Sequence, residues 1–320
     1  MSKTYNIVDN ESEQYDDDFI SRYEKDKKLD EPLSNITVND IDDYKQIIMD
    51  YVTLHSPKLY ILTPCYGGMC NTSYVTCMIN TIDIFNGFNI PLKIEFCRND
   101  SLVTRARNNL IAKAMCNKET THIIFIDSDI SWDPMDIIKL LLSDKPLIGG
   151  IYPLKRYDWS KLMTDSTNPY NSNVIQSLLD RKRKSYYDKT MSDEDMIRCN
   201  IVKYNLNFLG KELRIDNNLA KVKHIATGFM MIQRQLIETM FKAYPMTKYT
   251  DDVGYLSKDE DEYAYALFDC GIDEGHYLSE DWLFCHRWSK IKGDVYVDVS
   301  IGLTHSGNEE YKGSFITSIM

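Results

Sequence analysis

THIIFIDSD, residues 121–129, joins an apolar strand pattern to two aspartates. The run before Asp127 is apolar without alternation, which is typical of a strand that helices cover on both sheet faces. Asp127 and Asp129 follow at once, so they are expected at the carboxyl end of a central strand. Open α/β sheets bind their ligands at that edge. The stretch therefore predicts an α/β fold with a polar site at the end of this strand.

Strand and helix patterns alternate on both sides of this stretch. The strand patterns lie at 58–64, 92–97, 121–126, 146–152, 223–233 and 295–303. The helix patterns lie at 38–52, 73–85, 101–115, 133–142, 235–243 and 279–291. Such alternation with short connections predicts a doubly wound, mostly parallel central sheet flanked by helices, which is a Rossmann-like fold.

Composition divides the chain into an N-terminal part and a main domain. Residues 1–56 are expected to form an acidic arm and a helix, and residues 57–320 the main domain. An irregular insertion is expected at about 158–222, which is rich in Asn, Ser, Asp and Lys and contains the basic run RKRK at 181–184. This insertion is either a solvated face or a lid that binds an acceptor, because long irregular segments in compact domains are often functional.

Charge and cysteine usage exclude several classes of protein. The 37 Lys and Arg against 48 Asp and Glu give a net charge of −11, which argues against a general nucleic-acid binder. No apolar run approaches the roughly 20 residues that span a bilayer, and the polar, acidic N-terminus is unlike a secretory signal. The eight cysteines are scattered without a CxxC pair, as in reduced intracellular proteins. A soluble cytoplasmic or other intracellular protein is expected, and homo-oligomerisation remains open.

The two aspartates are candidate metal ligands. In an extended chain the side chains of Asp127 and Asp129 point to one side and Ser128 points away. Two converging carboxylates repel each other unless a cation lies between them, and oxygen ligands suit Mg²⁺ or Mn²⁺. His305 follows another strand pattern, and its nitrogen favours Mn²⁺. The alternatives are one turn-capping aspartate beside a solvated one, and an ordinary half-buried histidine.

The helix pattern at 101–115 carries an arginine on its apolar stripe. Arg107 falls inside this stripe, whereas Arg105 lies opposite to it. An unpaired buried charge is costly, so Arg107 must find an anion. Either a strand-end aspartate or a ligand phosphate satisfies this requirement, and the two are compatible.

Two further segments are candidates for the same site. Gly228 lies in the strand pattern ATGFM, where it marks either a close approach of the backbone to a ligand or a plain bulge. Glu280 and Asp281 lie in the first turn of a helix pattern. Acidic side chains there either complement the helix dipole or act on a substrate.

Seven motifs together resemble a known family. In chain order they are ILTP at 61–64, SLVTRARNNL at 101–110, FIDSDISWDP at 125–134, GGIYPLK at 149–155, ATGFMMI at 226–232, SEDWLFCHRW at 279–288 and LTHSG at 303–307. The chain resembles DxD-containing GT-A-fold glycosyltransferases, in particular compact members encoded by large viruses and phages. The resemblance covers about residues 57–313, except the segment 158–222.

The resemblance implies a metal-dependent transferase of hexosyltransferase type, with a nucleotide-sugar donor that is most often a UDP-sugar. Asp127, Asp129 and His305 would hold Mn²⁺ or Mg²⁺, and Asp127 would also approach the ribose. Asp281, or its neighbour Glu280, would be the catalytic base of an inverting enzyme or would orient the acceptor in a retaining one. The donor sugar and the acceptor, whether a glycan, a protein side chain or a lipid, remain open.

The resemblance also implies a set of donor-binding residues. Thr63, Pro64 and Tyr66 would line the base pocket, and Arg105 or Arg107 would meet the diphosphate or sugar. Gly228 and Phe229 would lie under a sugar, and Lys312 would reach the β-phosphate. Asp100 and Ser128 belong to the same set.

Two other functions remain open from the sequence. Nucleotidyl transfer uses a related sheet, but it usually relies on a Gly-rich loop with a basic residue after the first strand. The corresponding loop, CYGGMCNTS at 65–73, contains two glycines and no Lys or Arg. A non-catalytic binding protein of the same fold is the other alternative, although the chain retains the acidic pair and His305.

Overall fold

The computed structural model describes residues 3–6, 41–162, 174–184 and 192–308. The α-helices in these ranges are α1 Ile41–His55, α2 Thr72–Gly87, α3 Val103–Cys116, α4 Pro134–Leu142, α5 Val174–Lys184, α6 Asp193–Ile201, α7 Arg234–Ala243, α8 Lys258–Asp261 and α9 Glu280–Lys290. Short 3₁₀ turns lie at Tyr66–Gly68, Trp159–Leu162 and Pro245–Thr247.

The strands are short, and nine of those described belong to one sheet. Their bounds are β1 Lys3–Asn6, β2 Leu59–Cys65, β3 Leu92–Arg98, β4 His122–Ile126, β5 Ile130–Ser131, β6 Leu147–Gly149, β7 Pro153–Tyr157, β8 Val202–Tyr204, β9 Leu206–Asn207, β10 Glu212–Asp216, β11 Leu219–Val222, β12 His224–Ile225, β13 Phe229–Gln233, β14 Gly271–Asp273, β15 His276–Leu278, β16 Val295–Asp298 and β17 Thr304–His305.

The central sheet is mixed, which corrects the expectation of a mostly parallel one. Its order is β1-β10-β11-β16-β6-β13-β4-β2-β3. Strands β3, β2 and β4 are parallel, and so are β6 and β16. Strand β13 separates these two groups and runs antiparallel to both of its neighbours. The remaining pairings, which join β16 to β11, β10 and β1, are antiparallel.

Helices cover both faces of this sheet, as the apolar run of β4 predicts. Ile123 and Phe125 of β4 belong to one buried cluster, which includes residues of α3, α7 and α9. Ile124 and Ile126 belong to a second cluster on the opposite face, with residues of α1, α2 and α4. All four side chains are fully buried. The chain is therefore a mixed α/β protein with a helical layer on each side of a large sheet.

The segment at 158–222 is more regular than its composition predicts. It contains α5, α6 and strands β8 to β11, and β10 and β11 form a hairpin in the central sheet. Asn217 and Asn218 join these two strands with φ values of 48° and 65°. Two consecutive residues with positive φ are typical of a type I′ hairpin turn, which asparagine tolerates well. This turn explains why a segment rich in asparagine enters the sheet.

Two predicted strands are interrupted in the structure. The strand predicted at 223–233 is split into β12 and β13 by Ala226, Thr227 and Gly228, and the one predicted at 146–152 is shortened to β6. None of the eight cysteines, which all lie in the described ranges, forms a disulfide. Among the described helices, none combines the length and the apolar character needed to cross a membrane.

Candidate functional site

The two aspartates lie in a turn directly after β4. The backbone N–H of Ile130 donates to the carbonyl of Asp127 at 3.0 Å, which closes the turn. The segment Asp127 to Asp129 is therefore not extended, which corrects the expectation that the two carboxylates share one side of a strand. Instead, Asp127 pairs with Arg107 of helix α3. Asp129 pairs with Lys155 of β7 and lies near His305 of β17.

Neighbouring segments fix the backbone of this turn. The N–H of Asp127 donates to the carbonyl of Gly228 at 3.1 Å, and the N–H of Asn71 donates to the carbonyl of Ser128 at 2.9 Å. The N–H of Ser306 donates to the carbonyl of Asp129 at 2.8 Å. Three loops that are distant in sequence thus converge on the end of β4.

Arg107 is buried against the site, as its place on the apolar stripe predicts. Its Nη2 donates to Oδ1 of Asp127 at 3.1 Å, and its Nε lies 3.4 Å from Oε1 of Glu280. The side chain is only 4% exposed, and its guanidinium carbon lies 5.3 Å from the ring centre of Phe125. Burial alone would lower the pKa of Arg107, but the nearby carboxylates of Asp127 and Glu280 outweigh burial and raise it.

The Nη1 amino group of this arginine, with its two N–H donors, is unsatisfied. Nη1 of Arg107 is buried and has no hydrogen-bond partner among the described residues. A buried charged donor without an acceptor is costly, so such a group in a native structure calls for a specific explanation. Because protein atoms cover Nη1, a ligand does not reach it in this conformation, and an ordered internal water is the acceptor that fits such a position.

Asp129 forms the second half of the site with His305 and Lys155. Strand β17 pairs with β5, which brings His305 opposite Ile130 and next to Asp129. Oδ2 of Asp129 contacts Nζ of Lys155 and lies 3.6 Å from Nε2 of His305. Burial raises the pKa of Asp129, but the contacts with His305 and Lys155 outweigh burial and lower it to about 2.

The ring of His305 is oriented by the backbone of β7. Its Nδ1 lies 2.9 Å from the carbonyl oxygen of Pro153, which can only accept a hydrogen bond. Nδ1 is therefore protonated, and Nε2 is the nitrogen that faces Asp129. A carbonyl that fixes the distal nitrogen is the arrangement found behind metal-binding histidines.

Tyr152 lies between the two halves and was missed by the sequence reasoning. Its hydroxyl accepts a hydrogen bond from the N–H of Gly228 at 3.3 Å, and its ring packs edge-on against His305 at 5.1 Å. Burial raises the pKa of Tyr152. The motif GGIYPLK contains both Tyr152 and Lys155, but the motif alone assigns no function to either residue.

Gly228 approaches a side chain closely. A Cβ at this position would lie 2.7 Å from ring carbons and the hydroxyl of Tyr152. Tyr152 therefore occupies the space that the sequence reasoning left to a ligand. The next residue, Phe229, is fully buried in the core.

The acidic pair at the start of α9 is divided between two environments. Glu280 faces Arg107, whereas Asp281 accepts hydrogen bonds from the hydroxyl of Ser279 and from the N–H of Trp282. Asp281 is buried, and burial raises the pKa of its carboxyl group. A carboxyl group with a raised pKa is suited to proton transfer near neutral pH.

Several predicted donor-binding residues have partners of their own. Thr63 is fully buried and lies 2.6 Å from the hydroxyl of Tyr74, Pro64 is half-buried, and Tyr66 is 76% exposed on a 3₁₀ turn. Arg105 pairs through two 2.8 Å hydrogen bonds with Asp100, and this contact lowers the pKa of Asp100.

Lys312 was also assigned to the donor site, and it lies outside the described residues.

The predicted metal ligands are only partly assembled. No group of three His, Cys, Asp or Glu side chains within the described ranges is arranged to hold a metal ion. Asp129 and His305 face each other, but Asp127 is engaged by Arg107. Mg²⁺ is commonly held by one or two carboxylates together with water and substrate phosphates. Asp129 can supply one such carboxylate, and His305 adds a nitrogen ligand that favours Mn²⁺.

Comparisons with known proteins add little to these observations. No family model matches the sequence, and no curated protein matches it. Among solved structures, the crystal structure of A197 from STIV is similar over 79% of this chain and 86% of that one, with 13% identity and a TM-score of 0.38. At this TM-score the likeness bears on neither the fold nor the function of the chain.

Proposed function

We propose that this chain is a glycosyltransferase that moves a sugar from a nucleotide-sugar donor, with UDP as the expected nucleotide, to an acceptor hydroxyl. The acidic pair Asp127 and Asp129, brought together with His305 at the carboxyl end of β4, is the observation that carries the proposal. Open α/β sheets bind nucleotides at this edge. Asp129 and His305 are partly exposed there, whereas the buried Arg107 holds Asp127 in place.

The charge of the site supports a requirement for a cation. Four carboxylates surround the turn after β4, from Asp127, Asp129, Glu280 and Asp281, against the two cations Arg107 and Lys155. A diphosphate would add further negative charge to this region. A divalent ion at Asp129 and His305 would neutralise that charge and stabilise the leaving nucleoside diphosphate.

Asp281 is the residue best suited to activate the acceptor. Glu280 is neutralised by Arg107, whereas the carboxyl group of Asp281 is buried and has a raised pKa. Its two hydrogen-bond donors, the Ser279 hydroxyl and the Trp282 N–H, orient the carboxylate. We propose that Asp281 accepts the proton of the acceptor hydroxyl, as a general base does.

Release of nucleoside diphosphate from a panel of nucleotide sugars, measured with Mn²⁺ and with chelator, tests this proposal. Wild-type protein is expected to release the diphosphate only with the metal, and Asp129→Asn is expected to lose the activity. Asp133→Asn is the matched control, because Asp133 caps α4 from an exposed position and asparagine caps a helix equally well. Undiminished release by Asp129→Asn would refute the proposed role of this site.

A further inference from the structure

Lys155 contacts the same oxygen of Asp129 that His305 approaches. Its Nζ contacts Oδ2 of Asp129, and Nε2 of His305 approaches the same oxygen at 3.6 Å. One carboxylate oxygen is thus shared between a lysine ammonium and the histidine. An ion that binds between Asp129 and His305 competes directly with this ammonium, since two cations at one oxygen repel each other.

The fold holds Lys155 in this position. Lys155 belongs to β7, the same strand whose Pro153 carbonyl orients His305. Its side chain also passes close to the backbone of Gly307, where a Cβ would lie 2.7 Å from Cδ of Lys155. A side chain at position 307 would therefore push the lysine aside. The absence of a side chain there is part of what keeps the ammonium at Asp129.

We propose that Lys155 is the resident counter-ion of Asp129 and that a divalent ion binds only by displacing its ammonium. This inference rests on the proposed function, because it concerns the same cation position. In the absence of metal, Lys155 neutralises Asp129 and keeps the site folded. A bound ion would take the place of the Lys155 ammonium at Asp129 and would also meet His305, so the lysine sets the affinity for the metal.

Binding of Mn²⁺ without nucleotide, followed by the electron paramagnetic resonance signal of the free ion, tests this competition. Lys155→Met is expected to bind Mn²⁺ about tenfold more tightly than wild type, which is the order expected for loss of a charge-assisted hydrogen bond. Gly307→Ala keeps the lysine charge but displaces its side chain, so it is expected to raise the affinity in the same direction.

Two control variants separate this effect from general changes. Arg156→Met removes the same charge from the neighbouring, exposed position. Gly302→Ala adds the same methyl group where no atom lies within 4 Å. Both controls are expected to bind Mn²⁺ as wild type does. Melting temperatures of all five proteins show whether each variant is folded.

Each other outcome overturns the inference. Unchanged or weaker Mn²⁺ binding by Lys155→Met would show that the lysine does not compete. An equal gain in Arg156→Met would assign the effect to net charge, and a gain in Lys155→Met without one in Gly307→Ala would show that Gly307 does not hold the ammonium at Asp129. The proposed function is tested separately, because release of nucleoside diphosphate could be absent while Lys155→Met still gains affinity for Mn²⁺. Metal-dependent release of nucleoside diphosphate without that gain would overturn only the inference.

Discussion

Nη2 of Arg107 donates to Oδ1 of Asp127 at 3.1 Å, in a contact whose arginine side is almost entirely excluded from water. This pair joins helix α3 to the end of the central strand β4. The same guanidinium also faces Glu280 at the start of α9. A single buried cation therefore connects three elements that are far apart in the sequence.

Replacing Arg107 by methionine is expected to destabilise the fold strongly. Asp127 and Glu280 would lose their cation, and breaking a buried pair from one side typically costs about 3–5 kcal/mol. Arg105→Met on the same helix is the matched control, because the Arg105–Asp100 pair is partly exposed and exposed pairs contribute about 0–1 kcal/mol. Urea unfolding measures both losses. Equal losses in the two variants would contradict the structural role of the buried pair.

Adding a methyl group at Gly228 is expected to disturb the site through Tyr152. Because the new Cβ would overlap the ring at 2.7 Å, Gly228→Ala should lose about 1–3 kcal/mol of unfolding free energy. Gly302→Ala, which has open space around it, should stay close to wild type. Thermal unfolding of the two variants distinguishes them, and a Gly228→Ala protein as stable as the control would show that Tyr152 moves away freely.

Acid is expected to remove the contribution of Asp129 to stability. Its folded-state pKa of about 2 lies below the value of about 3.9 for an unfolded aspartate. A lowered carboxyl pKa stabilises the fold above the unfolded pKa, and that stabilisation is lost as the pH falls through the folded one. Wild type should therefore be more stable than Asp129→Asn at pH 5, and the difference should shrink between about pH 4 and pH 2. A constant difference over that window would contradict the ion pair with Lys155.

Asp281 is expected to show the opposite dependence on pH. Burial raises its folded-state pKa, so its contribution to stability is greatest below about pH 4 and is lost as the pH rises through the folded value. Asparagine can still accept hydrogen bonds from Ser279 and Trp282. Asp281→Asn should therefore be at least as stable as wild type at pH 7 while it loses sugar transfer. Chemical unfolding at pH 4 and pH 7 measures the change, and lower stability at pH 7 would contradict it.

The apolar run of β4 and the buried position of Arg107 could be predicted from the sequence, because both follow from local hydrophobic spacing. The direction of β13 could not be predicted, because it depends on this strand pairing between β4 and β6 in the sheet. Lys155 and Tyr152 were missed for a related reason. Lys155 meets Asp129 across 26 residues, and the Pro153 carbonyl that orients His305 lies 152 residues away from it. Contacts of that range arise from topology, which residue spacing does not specify.

The most direct test of the nucleotide-sugar site is a calorimetric titration of UDP into wild-type protein and Asp129→Asn, each with Mn²⁺ and with chelator. Asp133→Asn again serves as the control for the loss of one carboxylate. Binding of UDP by wild type and Asp133→Asn that requires Mn²⁺, and its loss in Asp129→Asn, is the predicted result. Equal binding of UDP by Asp129→Asn, or no metal-dependent binding by wild type, would contradict the assignment of this sheet edge as the donor site.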